Sequence, residues 1–272
     1  MKRKNLLVFI TAFFCAFIVF SHHAENFDRL INDEFDELEN FRLTGHHHHS
    51  AENVWAVNSG VMLHAWIEPT PSQGRGPFYP VRLPSEIDTD LTVIADGPEA
   101  LGVAVYLQGQ VMAQNGQIIK NATIEIWQAC ASGKYAHPRD PNTAPADPNF
   151  QYYGTTTTDQ NGKYIFKTIV PGPYPADTNW WRPPHIHFLV SAPGYKTLTT
   201  QSYFDGNSFP DVVTRVGDQD INGEVINRYN NADLMLGQLS QQQREKLTVS
   251  FRETPELNNK KLGVFNIYLE QK

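Results

Sequence analysis

Residues 180–188 read WWRPPHIHF. In an extended strand alternate side chains share a face, so His185 and His187 project together while Ile186 points the other way. Two imidazoles on one edge form a pair of nitrogen donors for a transition metal. An H-x-H pair alone is a modest signal, because such pairs arise by chance. The surroundings add to it. VPGPYPADTNWWRPP precedes the pair, a loop stiffened by proline and turned by glycine, and such loops place side chains at low entropic cost. It carries Tyr174, and a second loop within GKYAHPRD carries Tyr135. Aromatic residues in a β protein mostly pack in the core, but tyrosines flanked by Gly and Pro in loops are less obvious core residues. GHHHHS (45–50) is another metal candidate. Four consecutive histidines cannot all face one ion from a regular element, so this run reads as a loop.

The elements that must position these residues are mostly strands. From about residue 95 β-rich runs alternate with turn signals. LGVAVYLQGQVMA and IIKNATIEIWQA flank Asn115-Gly116, a hairpin signal. GTTTT and KYIFKTIV flank DQNG (159–162), and HIHFLVS and KTLTTQSYF flank Pro193-Gly194, giving two further expected hairpins. EKLTVSFRE and GVFNIYLE supply the last strands, with a short helix expected over 232–244. This pattern predicts an all-β fold, an antiparallel β-sandwich core with long loops carrying the metal site, plus a short N-terminal helix.

The chain has 272 residues, with 40% hydrophobic and 19% charged residues, an ordinary globular composition. MKRKN followed by the apolar run 6–20 reads as a signal peptide over 1–21, too short for an ordinary membrane span. Cleavage is expected after Ser21, less favourably after Ala24, which makes the protein exported, periplasmic or secreted. An uncleaved segment would instead anchor it to the membrane. Loss of 1–21 removes Lys2, Arg3 and Lys4 and takes the formal charge from −7 to −10, which argues against nucleic acid as a partner. Cys130 is then the one remaining cysteine, so no disulfide framework is expected. Residues 22–59 read as an amphipathic helix (24–43) and a His-rich linker, and 60–272 as the β-sandwich domain.

Five blocks in order, GPFYP (76–80), IEIWQACASGKYAHPRD (124–140), PNFQYYGTTTTDQNGKYIFKTIVPGPYP (148–175), WWRPPHIHFLV (180–190) and TQSYFDG (200–206), resemble the intradiol ring-cleavage dioxygenases. The resemblance spans roughly residues 60–270 and is nearest to the protocatechuate 3,4-dioxygenase-like branch. It implies one iron(III) per chain, held by Tyr135, Tyr174, His185 and His187. It makes Arg182 and Gln201 active-site residues, and Pro77 and Tyr79 substrate contacts. Hard phenolate donors favour iron(III), in contrast to the two-histidine, one-carboxylate set of iron(II) oxygenases. A tyrosine with a pKa near 10 must be ionised by the cation itself.

The implied reaction opens a catechol with O2 between its two hydroxyl-bearing carbons and gives a cis,cis-muconate. Tyr174 would be displaced and accept a proton, Arg182 would stabilise negative charge on the ring, and Gln201 would hold substrate or oxygen-derived species. Family enzymes acting on catechol carry a long helical N-terminal dimerisation domain, and this chain has room for only a short helix. Well-known protocatechuate enzymes are cytoplasmic and built from two different subunits, whereas this chain reads as exported and single. Homo-oligomerisation is compatible with the sequence. Two alternatives stand beside this reading: the same chemistry on catechol, hydroxyquinol or a larger catecholic compound, and a non-catalytic β-sandwich binding module.

Overall fold

The computed structural model describes residues 66–272 apart from residue 85. The expected signal peptide, the helix at 24–43 and the histidine run lie outside the described residues. The strands follow in order: β1 (Ala104–Ala113), β2 (Thr123–Trp127), β3 (Tyr153–Thr157), β4 (Lys163–Ile169), β5 (Tyr174–Asp177), β6 (Trp180–Arg182), β7 (His185–Ser191), β8 (Leu198–Phe204), β9 (Thr214–Val216) and β10 (Gln219–Ile221). Three helices come next: α1 (Gly223–Ala232), α2 (Leu234–Gly237) and α3 (Gln241–Leu247). Strands β11 (Thr248–Val249), β12 (Phe251–Thr254), β13 (Lys260–Val264) and β14 (Ile267–Leu269) complete the fold.

Two five-stranded sheets form the sandwich. In one, β1 lies between β4 on one side and β13 and β14 on the other, with β12 beyond β13. The other runs β11-β8-β7-β2-β3. Val105, Leu107 and Val111 of β1, Phe166 of β4, Ile124 and Ile126 of β2, and Ile186, Phe188 and Val190 of β7 fill the space between them and are fully buried. The alternation expected for β2 and β7 therefore forms the inner face. Most pairings are antiparallel, but β1 with β13, β1 with β14 and β8 with β11 are parallel. Each of those partners is reached by a long excursion of chain, as parallel pairing requires.

The Pro193-Gly194 hairpin forms as expected, pairing His185 with Tyr203 through Val190 with Leu198. The other two expected hairpins form their turns, the first with a short antiparallel bridge from Met112 to Ile118, but β1 does not pair with β2 nor β3 with β4. Gly116 N–H donates to Ala113 O at 2.9 Å, and Gly162 N–H to Asp159 O at 3.1 Å. Beyond those turns β2 joins β3 and β7, whereas β4 joins β1. Both turns are corners at which the chain changes sheets. Ile119 and Ala122 bury their side chains in the core along the first crossing. Turn residues reverse the backbone locally and say nothing about the partner a strand then takes.

The helix expected over 232–244 is three pieces that begin earlier. Asp233 is extended and caps α2, accepting from the N–H groups of Met235 and Leu236. Ser240 caps α3 in a reciprocal box with Gln243.

Phe188 sits between Tyr164 and Phe265, with ring centroids 6.3 and 5.0 Å away. Replacing it with alanine should cost about 3–5 kcal/mol of unfolding free energy in urea titrations. Trp181→Ala, at a ring 36% exposed, should cost less than half as much. Equal losses would contradict this account of the core.

Candidate metal centre

The outer face of β7 carries His185 and His187, both almost fully buried beneath loops. His185 Nδ1 lies 2.7 Å from Pro183 O. A carbonyl only accepts, so Nδ1 carries the proton and Nε2 presents a lone pair. That nitrogen is 3.2 Å from His187 Nε2. Trp127, the cross-strand neighbour of His187, stacks beneath it at 4.7 Å and 5°. Burial, and then the charge of Arg182, push both histidines well below the usual imidazole range. A further lowering of His185 comes from His187, two residues along the same strand.

The two tyrosines arrive on loops whose backbones cross. A methyl group on Gly172 would meet Ala131 O at 2.4 Å, and one on Gly133 would meet Pro173 O at 2.4 Å. Only glycine allows this approach. The crossing is tied by Gly133 and Gly172 N–H groups donating to Cys130 O at 2.9 and 3.0 Å. Buried Asp140 accepts the Tyr135 N–H at 2.7 Å and the Asn142 N–H at 2.8 Å, which shapes the loop around Tyr135. Tyr174 opens β5 and is the cross-strand partner of Arg182 on β6.

These elements close a ring of four side chains. Centroid distances are 5.3 Å for Tyr135–Tyr174, 5.7 Å for Tyr174–His185, 4.8 Å for His185–His187 and 6.3 Å for His187–Tyr135. Tyr135 Oη and His187 Nδ1 are buried without a hydrogen-bond partner. Burial raises the pKa of both phenols, well above the usual value for Tyr135, where Tyr174 adds to the effect. Among the described residues no three His, Cys, Asp or Glu side chains form a metal-binding group; this set owes half its donors to tyrosine. The donors fit a hard, highly charged cation. An unpartnered phenol oxygen and two facing imidazole nitrogens converge there, and such a cation ionises buried phenols by its own charge.

Arg182 is buried beside this ring. Its Nε donates to Asp233 Oδ2 at 2.8 Å, and Nη2 donates to Gln201 Oε1 at 2.7 Å and Tyr203 Oη at 3.0 Å. Tyr174, Tyr203 and Asp233 raise the guanidinium pKa despite the opposing effect of burial, the largest single contribution. Gln201 Nε2 and Tyr203 Oη in turn donate to Gly74 O and Gln73 Oε1, 2.8 and 2.7 Å away. They thereby hold a strap, residues 71–80, across the site. A methyl group on Gly76 of this strap would come within 3.1 Å of His187 Cε1.

The structure thus brings Tyr135, Tyr174, His185, His187, Arg182 and Gln201 together. Pro77 is exposed on the strap. Tyr79 edges onto Trp127 at 5.0 Å and gives its hydroxyl to Glu125 at 2.6 Å. Phe78, between them in sequence, is the strap residue packed on Tyr135 and Tyr174, at 4.9 and 6.0 Å. Sequence reasoning missed Phe78, Tyr203 and Asp233. For Tyr203 a signal was available, since it alternates with Gln201 on β8.

Two tyrosines and two histidines converging on the outer face of a β-sandwich make a candidate metal centre, and comparison with known proteins places the chain in a family. Residues 75–239 match the family model Dioxygenase_C, described as Dioxygenase. The chain belongs to the intradiol ring-cleavage dioxygenase family. It is 40% identical over 136 residues to the protocatechuate 3,4-dioxygenase beta chain of Burkholderia cepacia, covering 48% of this chain and 57% of that one. It is 33% identical over 147 residues to a chlorocatechol 1,2-dioxygenase of Cupriavidus pinatubonensis, covering 49% and 54%. The chain spans about half the length of the curated relatives it matches. Among solved structures, the dioxygenase domain of a dioxygenase–carbohydrate-binding protein fusion from Streptomyces sp. SirexAA-E aligns with TM-score 0.51 and 25% identity, over 75% of this chain and all of that one. An intradiol ring-cleavage dioxygenase from Tetranychus urticae shares the fold with TM-score 0.54 and 23% identity, over 75% and 95% of the two chains.

The two histidines carry a pH signature. Their folded pKa values lie below the ordinary 6.5, so the unfolded chain takes up protons first as pH falls. Their contribution to stability is complete above pH 6.5 and is lost progressively below it. For metal-free protein the slope should approach about 1.4 kcal/mol per pH unit per histidine. Urea unfolding at pH 5 to 8 checks this against the His185→Asn/His187→Asn variant, which should lose that part of the slope. Parallel stability curves for the two proteins would exclude buried neutral histidines.

Proposed function

We propose that the protein is an iron(III)-dependent intradiol dioxygenase that uses O2 to open a protocatechuate-like catechol between its two hydroxyl-bearing carbons. The product is a cis,cis-muconate holding both oxygen atoms. The observation that carries this reading is the closed ring of Tyr135, Tyr174, His185 and His187 beside buried Arg182. Those four side chains would hold one iron(III) per chain. Iron(III), when bound, acts as a Lewis acid that draws electron density from a catecholate.

The chain's own residues do the rest. A phenolate at Tyr174 lies in surroundings that favour the protonated phenol, because burial raises its pKa. As a phenolate, its Oη would be a strong acceptor for a catechol proton. Arg182 sits directly across the β5–β6 ladder from Tyr174. Its guanidinium, already placed, stabilises negative charge developing on the ring at no reorganisation cost. Gln201 braces Arg182 with its carbonyl oxygen and the strap with its amide. Phe78 and Trp127 wall the ligand ring with apolar surface that excludes water.

The protocatechuate preference draws on the higher identity to the protocatechuate enzyme's beta chain than to the chlorocatechol enzyme. The leader expected over 1–21 would put the reaction outside the cytoplasm. N-terminal sequencing of protein recovered from the periplasm or the medium should find the chain starting after Ser21; a start at Met1 would return it to the membrane or the cytoplasm.

The visible spectrum of iron-loaded protein, before and after anaerobic protocatechuate, tests the centre. Tyrosinate bound to iron(III) should give an intense charge-transfer band that protocatechuate shifts, and admission of air should consume one O2 per ring opened. His185→Ala should lose iron, colour and oxygen uptake together. Colour without a shift would move the substrate to catechol, chlorocatechol or hydroxyquinol, which the same assay ranks. Iron held without colour would overturn the ligand set.

A further inference from the structure

We propose that Asp233 is the positioning residue for Arg182, acting on the proposed ring opening through the guanidinium without touching substrate; this rests on the dioxygenase reading above. The carboxylate is saturated by donors from two directions. Oδ2 accepts from Arg182 Nε at 2.8 Å and from Trp180 Nε1 at 3.2 Å. Oδ1 accepts the Met235 and Leu236 N–H groups at 3.0 and 2.8 Å. The Asp233 side chain has no exposed surface, and that of Arg182 is 6% exposed. Backbone N–H groups of α2 therefore fix the carboxylate, and the fixed carboxylate fixes the arginine.

That order of dependence matters because arginine is a long side chain with many rotamers. An ion pair between two mobile groups would place neither. Here one oxygen is locked to a helix start and the other grips the Nε edge of the guanidinium. Gln201 Oε1 and Tyr203 Oη hold Nη2. Nη1 alone has no hydrogen-bond partner among the described residues, and it is the end of the fork left for a ligand. The buried positive charge is also balanced, which lets it remain in an apolar setting.

Asp233→Asn tests the assignment. It keeps an oxygen for the α2 cap but turns an amide N–H toward Arg182 Nε and Trp180 Nε1. With iron content and the charge-transfer band unchanged, kcat for catechol-dependent oxygen uptake should fall about 10- to 100-fold while KM changes little. In an Arg182→Ala background the same substitution should cost nothing further. An unaltered kcat in the single variant, or an equal additional loss in the Arg182→Ala background, would overturn the proposal.

Asp233→Glu, which retains the balancing charge but displaces it by one methylene, replaces the asparagine variant should that one not fold. It should give the same pattern at smaller amplitude. A second readout is independent of turnover: amide-type exchange of the Arg182 Nε proton by NMR in metal-free protein. The unmodified chain should protect that proton and Asp233→Asn should expose it. If the unmodified holoprotein turns over no catechol, the functional reading fails on its own. Exchange then decides the pairing: loss of protection upholds Asp233 as the anchor of Arg182, and unchanged protection overturns it.

Discussion

The whole centre depends on the register of one strand. β7 presents Ile186, Phe188 and Val190 to the sandwich core and His185 and His187 to its outer face. A slip by one residue would bury two imidazoles among leucines and phenylalanines and take Ile186, Phe188 and Val190 out of the core. The hydrophobic set therefore enforces the position of the donors. The ladder then dictates their neighbours. His187 lies opposite Trp127 on one side and Gln201 on the other, and His185 lies opposite Tyr203. Tyr174 and Arg182 obey the same logic on the β5–β6 ladder. Most of the site is thus a set of cross-strand pairs, which makes it as rigid as the sheets that carry it.

Charge is the second constraint. With protonated phenols and neutral imidazoles the ligand ring carries no charge, and Arg182 is cancelled by Asp233. A cation entering this ring must displace protons from phenols that burial holds protonated. Only a strong charge does so, which is why the proposed occupant is a trivalent ion rather than a divalent one. On the proposed reading the same burial would make a Tyr174 phenolate a good base, so that one environment would serve both the choice of metal and the handling of the substrate proton.

Much of this was legible in the sequence because its cause is local. The alternation of β7, the Pro193-Gly194 hairpin and the glycine- and proline-bounded tyrosines are all properties of short segments. What was not legible is set by partners far away in the chain. Asn115-Gly116 and the 159–162 turn announced reversals, yet the strands after them pair across the sheet boundary. The helix expected over 232–244 runs straight through Asp233, and nothing local says that this residue caps α2 or that its second oxygen meets an arginine 51 residues away. The resemblance makes Tyr79 of the GPFYP block a substrate contact. The structure commits its hydroxyl to Glu125 and puts Phe78 against the ligand tyrosines instead.

Histidines on a strand and tyrosines on loops divide the tolerance of the site to change. Loops ordinarily vary, but here the two that carry Tyr135 and Tyr174 pass so close at Gly133 and Gly172 that a single methyl group would part them. They are consequently bound to each other as tightly as paired strands. The strap at 71–80 is different. Polar side chains anchor it at its ends, Gln73 and Gly74 by Tyr203 and Gln201, Tyr79 by Glu125. Between those anchors Arg75, Gly76 and Pro77 are exposed, while a methyl at Gly76 would already crowd His187. Substitutions at Arg75 and Pro77 can reshape the approach to the ring without disturbing its four side chains, whereas one at Gly76 presses on His187. On the proposed reading, discrimination among catechols of different size is therefore a property to seek in the strap, and competence to open any of them in the strands and crossed loops beneath it.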